Sequence, residues 1–99
     1  MTESSLRIVE QIKAIPPGRV SSYGNIALAA GLPNGARQTV RVLHSLSQKF
    51  DLPWHRVIRS NGSIALEEGA GRELQIELLI KEGVEVSADG RVDMRKYKV

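Results

Sequence analysis

Apolar residues fall at Leu6, Ile8, Val9, Ile12 and Ile15, the three-and-four spacing of an amphipathic helix running from Ser5 to Ile15. Ser4 or Ser5 is its expected cap, and Pro16-Pro17-Gly18 ends it, because proline cannot continue the hydrogen-bond ladder. A second, short helix is predicted from Tyr23 to Ala30, capped by Ser22 and stopped at Gly31. Pro33-Asn34-Gly35 makes a turn, and a third helix opens at Asn34 or Gly35 and runs to about Ser47. At about 100° per residue, its Arg37, Arg41, His44 and Gln48 form a narrow polar stripe. Ala36, Val40, Leu43 and Leu46 lie on a broad arc expected to pack. Beyond an irregular stretch at Asp51-Leu52-Pro53, Val57-Ile58 and Ile64-Ala65 read as two strands joined at Asn61-Gly62, a hairpin in the position of a wing. Gly69-Ala70-Gly71 precedes a helix from about Arg72 to Glu82, with Leu74, Leu78 and Leu79 on its buried side and Gly83 as its stop. Val84, Val86 and Val92 around Asp89-Gly90 suggest a second small hairpin, and Met94 to Val99 reads as a basic tail.

Two short helices joined by a glycine-containing turn, the second with a basic outer face, read as a helix-turn-helix. An ordinary helical hairpin with a solvated face fits the same pattern. The expected fold class is therefore α+β, mainly α, with a winged-helix-like helix-turn-helix in a single domain over residues 1–99. The net charge of +3 is unevenly spread. Between Pro16 and Leu66, six basic residues (Arg19, Arg37, Arg41, Lys49, Arg56, Arg59) stand against the single acid Asp51, whereas six bases face eight acids from Glu67 onward. A basic middle attracts phosphate backbones, although a solvated surface also accounts for it. No apolar stretch is long enough for a membrane span, and Met1-Thr2-Glu3-Ser4-Ser5 lacks the features of a secretion signal. With no cysteine, disulfides and thiolate-held metals are excluded, and the expected location is the cytoplasm, on the nucleoid when DNA is bound.

The run Pro53-Trp54-His55-Arg56-Val57-Ile58 resembles the Pro-Cys-His-Arg-Val active-site signature of the O6-alkylguanine-DNA alkyltransferases, with Trp54 where the reactive thiol belongs. Other segments match that family in order and spacing: Ser21-Ser22-Tyr23-Gly24-Asn25-Ile26-Ala27, the Gly35-Ala36-Arg37 start of a recognition helix, the Ser60-Asn61-Gly62 turn, and Leu78-Leu79 with Glu82-Gly83 in the last helix. They cover nearly the whole chain, whose likeness is to the family's C-terminal DNA-binding domain. With tryptophan replacing cysteine, the chain resembles the alkyltransferase-like subfamily. That resemblance implies a non-enzyme that binds O6-alkylguanine in double-stranded DNA by nucleotide flipping, transfers no alkyl group, and directs the lesion to nucleotide excision repair proteins. It implies neither cofactor nor metal, and no membrane partner.

Residue by residue, the resemblance makes Arg37 the finger that fills the space left by the extruded base. Tyr23, Pro53, Trp54 and Val57 become walls of the lesion pocket, and Tyr23, Arg37, Arg41, His44 and Ser60 become DNA contacts. His55 and Glu82 match the pair that activates the thiol; without a thiol they are vestigial, retained as a structural hydrogen-bond network. An indole offers no nucleophile comparable to a thiolate. After Ala36-Arg37 the family often has small residues, where this chain has Gln38-Thr39-Val40-Arg41. Two other functions fit parts of the sequence: a helix-turn-helix transcription regulator reading undamaged DNA, and a glycosylase or transferase using a substitute nucleophile such as His55.

Overall fold

In the computed structural model, which describes residues 2–99, the chain is mainly helical with one two-stranded sheet. Met1, the first residue of the single-domain and signal-free readings, lies outside the described residues. The elements are α1 (Glu3–Lys13), β1 (Ser21–Ser22), α2 (Tyr23–Ala29), α3 (Ala36–Phe50), a 3-10 turn (Trp54–Arg56), β2 (Val57–Ile58), α4 (Arg72–Lys81) and α5 (Met94–Tyr97).

Helix α1 starts earlier than its apolar pattern predicts. Its cap is Thr2, not Ser4 or Ser5, because the Thr2 side chain accepts the Ser5 N–H at 3.1 Å. The Ser22 cap of α2 forms as expected, its hydroxyl accepting the Asn25 N–H at 3.2 Å. Helices α2 and α3 pack against each other more extensively than any other pair, and Gly35 sits in the crease. A Cβ at Gly35 would lie 2.8 Å from Leu32 Cβ and 3.0 Å from the Leu32 carbonyl oxygen, so the turn needs the bare backbone. Helix α3 runs past Ser47 to Phe50 and ends at Asp51 in the left-handed region, a conformation that aspartate tolerates.

The inward face of α3 is built from Thr39 and Val42, with Leu43 and Leu46 partly buried beside them. Ala36 and Val40, expected to pack, are exposed instead. Val40 lies about 100° around the helix from Thr39, which carries it toward the polar stripe. Helix α4 departs from its pattern in the same way. Gln75 and Leu79, one turn apart, are buried, whereas Leu74 is 50% exposed. The amide of Gln75 is tolerated inside because it donates to the His55 and Val57 carbonyls, both at 3.1 Å.

Strand β2 does not pair with Ile64-Ala65. It runs parallel to β1, with Ser21 opposite Val57 and Ser22 opposite Ile58. A turn does form after it, the Gly62 N–H donating to the Arg59 carbonyl at 2.9 Å, but Asn61 keeps a negative φ and only Gly62 is left-handed. The return segment then binds a different neighbour, Ser63 bridging Arg91 and the Ile64 N–H donating to the Gly90 carbonyl. The second small hairpin forms as expected, through Val86 and Val92. The C-terminal segment is not a loose tail. Tyr97 is buried, and Val20 donates to its carbonyl at 3.0 Å while accepting from the Val99 N–H at 2.9 Å.

The short sheet lies between two apolar clusters. Side chains alternate across a strand, so Val57 enters the cluster of α1, α2 and α3, and Ile58 enters the one containing Val20, Leu79, Val84 and Tyr97. Two adjacent residues thus join both halves of the core, directly after the Trp54 turn.

Candidate nucleic-acid interface and its cleft

The basic stripe predicted on α3 is present. Arg37, Arg41, His44 and Gln48 are exposed, and neither arginine has an ion pair or side-chain hydrogen bond among the described residues. Beside the stripe opens a cleft of about 320 Å³. Its α3 wall consists of Leu43, Ser47, Val40 and His44. At about 100° per residue these four occupy one continuous arc between the buried face and the basic stripe. One helix therefore supplies the core, the cleft wall and the basic surface from three successive sectors.

The opposite walls come from Tyr23 at the start of α2, Trp54 and Val57 around the 3-10 turn, and Leu66 and Gln75. Sequence reasoning placed Tyr23, Trp54 and Val57 here. Pro53 lies outside the lining: its carbonyl accepts the Arg56 N–H at 3.0 Å, so it caps the turn that presents Trp54. Ser60 is exposed in the following turn and Arg37 stands two helical turns from His44; neither borders the cleft. Burial raises the Tyr23 phenol pKa, against a lowering by the Arg59 charge, so the hydroxyl stays neutral.

Leu43, Ser47 and Gln75 were not foreseen. For the first two the signal was available in the helical angle. For Gln75 there was none, because a glutamine in a helix reads as surface. Its Nε2 spans the two carbonyls flanking Arg56, and its Oε1 has no partner among the described residues.

Behind the turn, Glu82 gathers the loop. Arg56 approaches it with Nη2–Oε2 at 2.6 Å and Nε–Oε1 at 3.0 Å, His55 Nε2 lies 2.9 Å from Oε2, and the Gly18 N–H donates to Oε1 at 3.3 Å. Arg56 also donates to the Ile15 carbonyl at 2.9 Å, tying the end of α1 to the same point. The Arg56 hydrogen bonds, helped by His55 and Gly18 and opposed by partial burial, hold the Glu82 pKa down at about 2. Such a carboxylate is an anchor and a poor proton acceptor at neutral pH. The Trp54 and His55 rings meet edge to face at 6.0 Å, where the family signature has a thiol beside the imidazole. No cysteine exists in the chain to supply one. Among the described residues, no group of three or more metal-ligating side chains gathers, and no helix is long and apolar enough to cross a membrane.

Comparison with known proteins is consistent across sequence and structure. The family described as 6-O-methylguanine DNA methyltransferase, DNA binding domain, matches residues 3–84. A DNA base-flipping protein of Escherichia coli (strain K12) is 41% identical over 92 residues, covering 93% of this chain and 70% of the relative. Alkyltransferase-like protein 1 of Schizosaccharomyces pombe is 39% identical over 87 residues, covering 87% of this chain and 81% of the relative. The crystal structure of S. pombe Atl1 in complex with damaged DNA containing O6-carboxymethylguanine superposes with a TM-score of 0.87 at 35% identity, covering 100% of this chain and 96% of that one. The fold, the arrangement around Trp54 and these matches together show that the chain belongs to the 6-O-methylguanine DNA methyltransferase DNA-binding family, among its alkyltransferase-like members.

Proposed function

We propose that this protein recognises O6-alkylguanine in duplex DNA by flipping the damaged nucleotide into the Trp54 cleft, transfers nothing, and hands the site to nucleotide excision repair. The observation that carries this reading is the cleft itself. An apolar, aromatic-lined space borders the basic stripe of α3, whose two arginines have no partner among the described residues, and tryptophan stands where the family has its nucleophile. The base-flipping relatives, and the Atl1 complex with damaged DNA, support DNA as the partner. Activity in the cytoplasm belongs to the same proposal.

In this mechanism Arg41 and His44 bind the phosphate backbone and seat α3 on the duplex, with Ser60 contacting it from the turn beyond β2. Arg37, in the first turn of α3, enters the stack and fills the vacated space, where a planar guanidinium stacks and donates to the orphaned base. Extrusion costs a few kcal/mol, less for a poorly paired alkylated base, so mispairing itself contributes to selection. Tyr23 and Trp54 enclose the extruded base, and the indole face receives the alkyl group. The Glu82 anchor with Arg56 and His55 holds the Trp54 turn and takes no chemical part.

The test is titration with an O6-methylguanine duplex beside its unmodified twin, using DNA labelled in the methyl group. Preference for the lesion with all label left on DNA supports the reading. Equal affinity would favour a sequence-reading regulator, and label on protein or released base would make it an enzyme.

A further inference from the structure

Strands β1 and β2 run parallel, with Ser22 opposite Ile58, so the residues that follow them, Tyr23 and Arg59, leave the sheet at the same end. Tyr23 borders the cleft, and Arg59 is exposed outside its lining, with its charge lowering the phenol pKa against the larger effect of burial. The backbone of Arg59 is fixed: its N–H donates to the Ser63 carbonyl at 3.0 Å, and its carbonyl accepts the Gly62 N–H at 2.9 Å. Its guanidinium has no hydrogen bond or ion pair among the described residues. Arg56 and Arg72, by contrast, are committed to Glu82 and to loop carbonyls respectively. An anchored Cα thus carries an unengaged, bidentate cation at the end of the sheet from which Tyr23 reaches the cleft, on a different element from the α3 stripe.

We propose that Arg59 clamps a backbone phosphate of the extruded nucleotide outside the cleft. A nucleotide whose base fills the cleft must leave its own phosphates outside it, on the side where the ends of β1 and β2 carry Tyr23 and Arg59. The stripe residues Arg37 and Arg41 address the duplex along α3, whereas Arg59 meets its phosphate only once the nucleotide has turned out. It is a positioning residue for the flipped state and distinguishes that state from simple docking. This inference rests on the flipping reading above.

The experiment titrates wild type, Arg59→Ala and Arg59→Lys with an O6-methylguanine duplex and its unmodified twin across a range of salt concentrations. With Arg59→Ala, the slope of log affinity against log salt for the lesion duplex should flatten by about 0.9, the amount for one lost phosphate contact. Lesion affinity should fall about tenfold while the unmodified twin changes less than about twofold. Arg59→Lys should restore the slope, because it restores the charge. Equal losses on both duplexes, or an unchanged lesion slope, would overturn the clamp and leave lesion recognition standing. A wild-type protein without preference for the lesion would overturn the flipping reading and the clamp together.

Discussion

Arg56 grips Glu82 through two nitrogens, Nη2–Oε2 at 2.6 Å and Nε–Oε1 at 3.0 Å, and this pair holds the turn bearing Trp54 against the end of α1. Its consequence is a pH dependence of stability. The Glu82 pKa is lowered from 4.5 to about 2, so the folded state favours the ionised form. The stabilisation is complete above pH 4.5 and is lost as pH falls from there through 2. Solvent screening at this partly exposed site leaves about 1–2 kcal/mol of it at neutral pH. Urea denaturation between pH 2 and 6 should show that loss in the wild type. Glu82→Gln should lower stability at pH 6 and remove this component of the acid slope; an unaltered slope would contradict the pair's role.

Arg37 projects from α3 without a partner among the described residues. Arg37→Ala should therefore leave thermal stability within about 0.5 kcal/mol of wild type. Its affinity for an O6-methylguanine duplex should drop by about 1–3 kcal/mol. Calorimetry and fluorescence anisotropy together check this, and unchanged lesion binding would remove the finger assignment.

Trp54 lines the cleft while the turn that carries it is held by Arg56, Glu82 and Gln75. Trp54→Ala should reduce lesion affinity by about 1–3 kcal/mol, the range for losing one base-stacking aromatic. The unmodified duplex should respond much less. A proportional loss on both duplexes would mean that the indole only supports the fold.

Three glycines should respond differently to alanine. Gly24 lies inside α2 with nothing within 4 Å of an added Cβ, so Gly24→Ala should stabilise by about 0.5–1 kcal/mol. Gly35→Ala should destabilise by about 1–3 kcal/mol, through overpacking against Leu32. Gly62→Ala should cost more than either, since Gly62 has φ +89° and an added Cβ would collide with the Val92 carbonyl oxygen. Melting temperatures of the three variants give the order, and equal effects would contradict the packing described.

Much of this was legible before the structure, for physical reasons. The Ser22 cap, the Gly31 and Gly83 stops and the α3 stripe follow from local chemistry that tertiary contacts did not override. The pairing of β2 did not, because two-residue strands carry no register signal, and the Asn61-Gly62 turn was compatible with either partner. The inward role of Gln75 depends on carbonyls presented by a distant loop, which no periodicity encodes. Leu74 misled because α4 carries apolar side chains around its circumference, leaving Leu74 and Ile80 in solvent. The cleft was half visible: the motif placed Tyr23, Trp54 and Val57, whereas the α3 wall had to be read from helical angles. The role of Arg59 required the parallel register of β1 and β2.

Lesion selection without chemistry is tested most directly by one titration: wild-type protein against methyl-labelled O6-methylguanine duplex and its unmodified twin, with the label followed throughout. The expected result is tighter binding of the damaged duplex, by about tenfold or more, with every labelled methyl group still on the DNA. Equal affinity for the two duplexes, or label transferred to the protein, would contradict it.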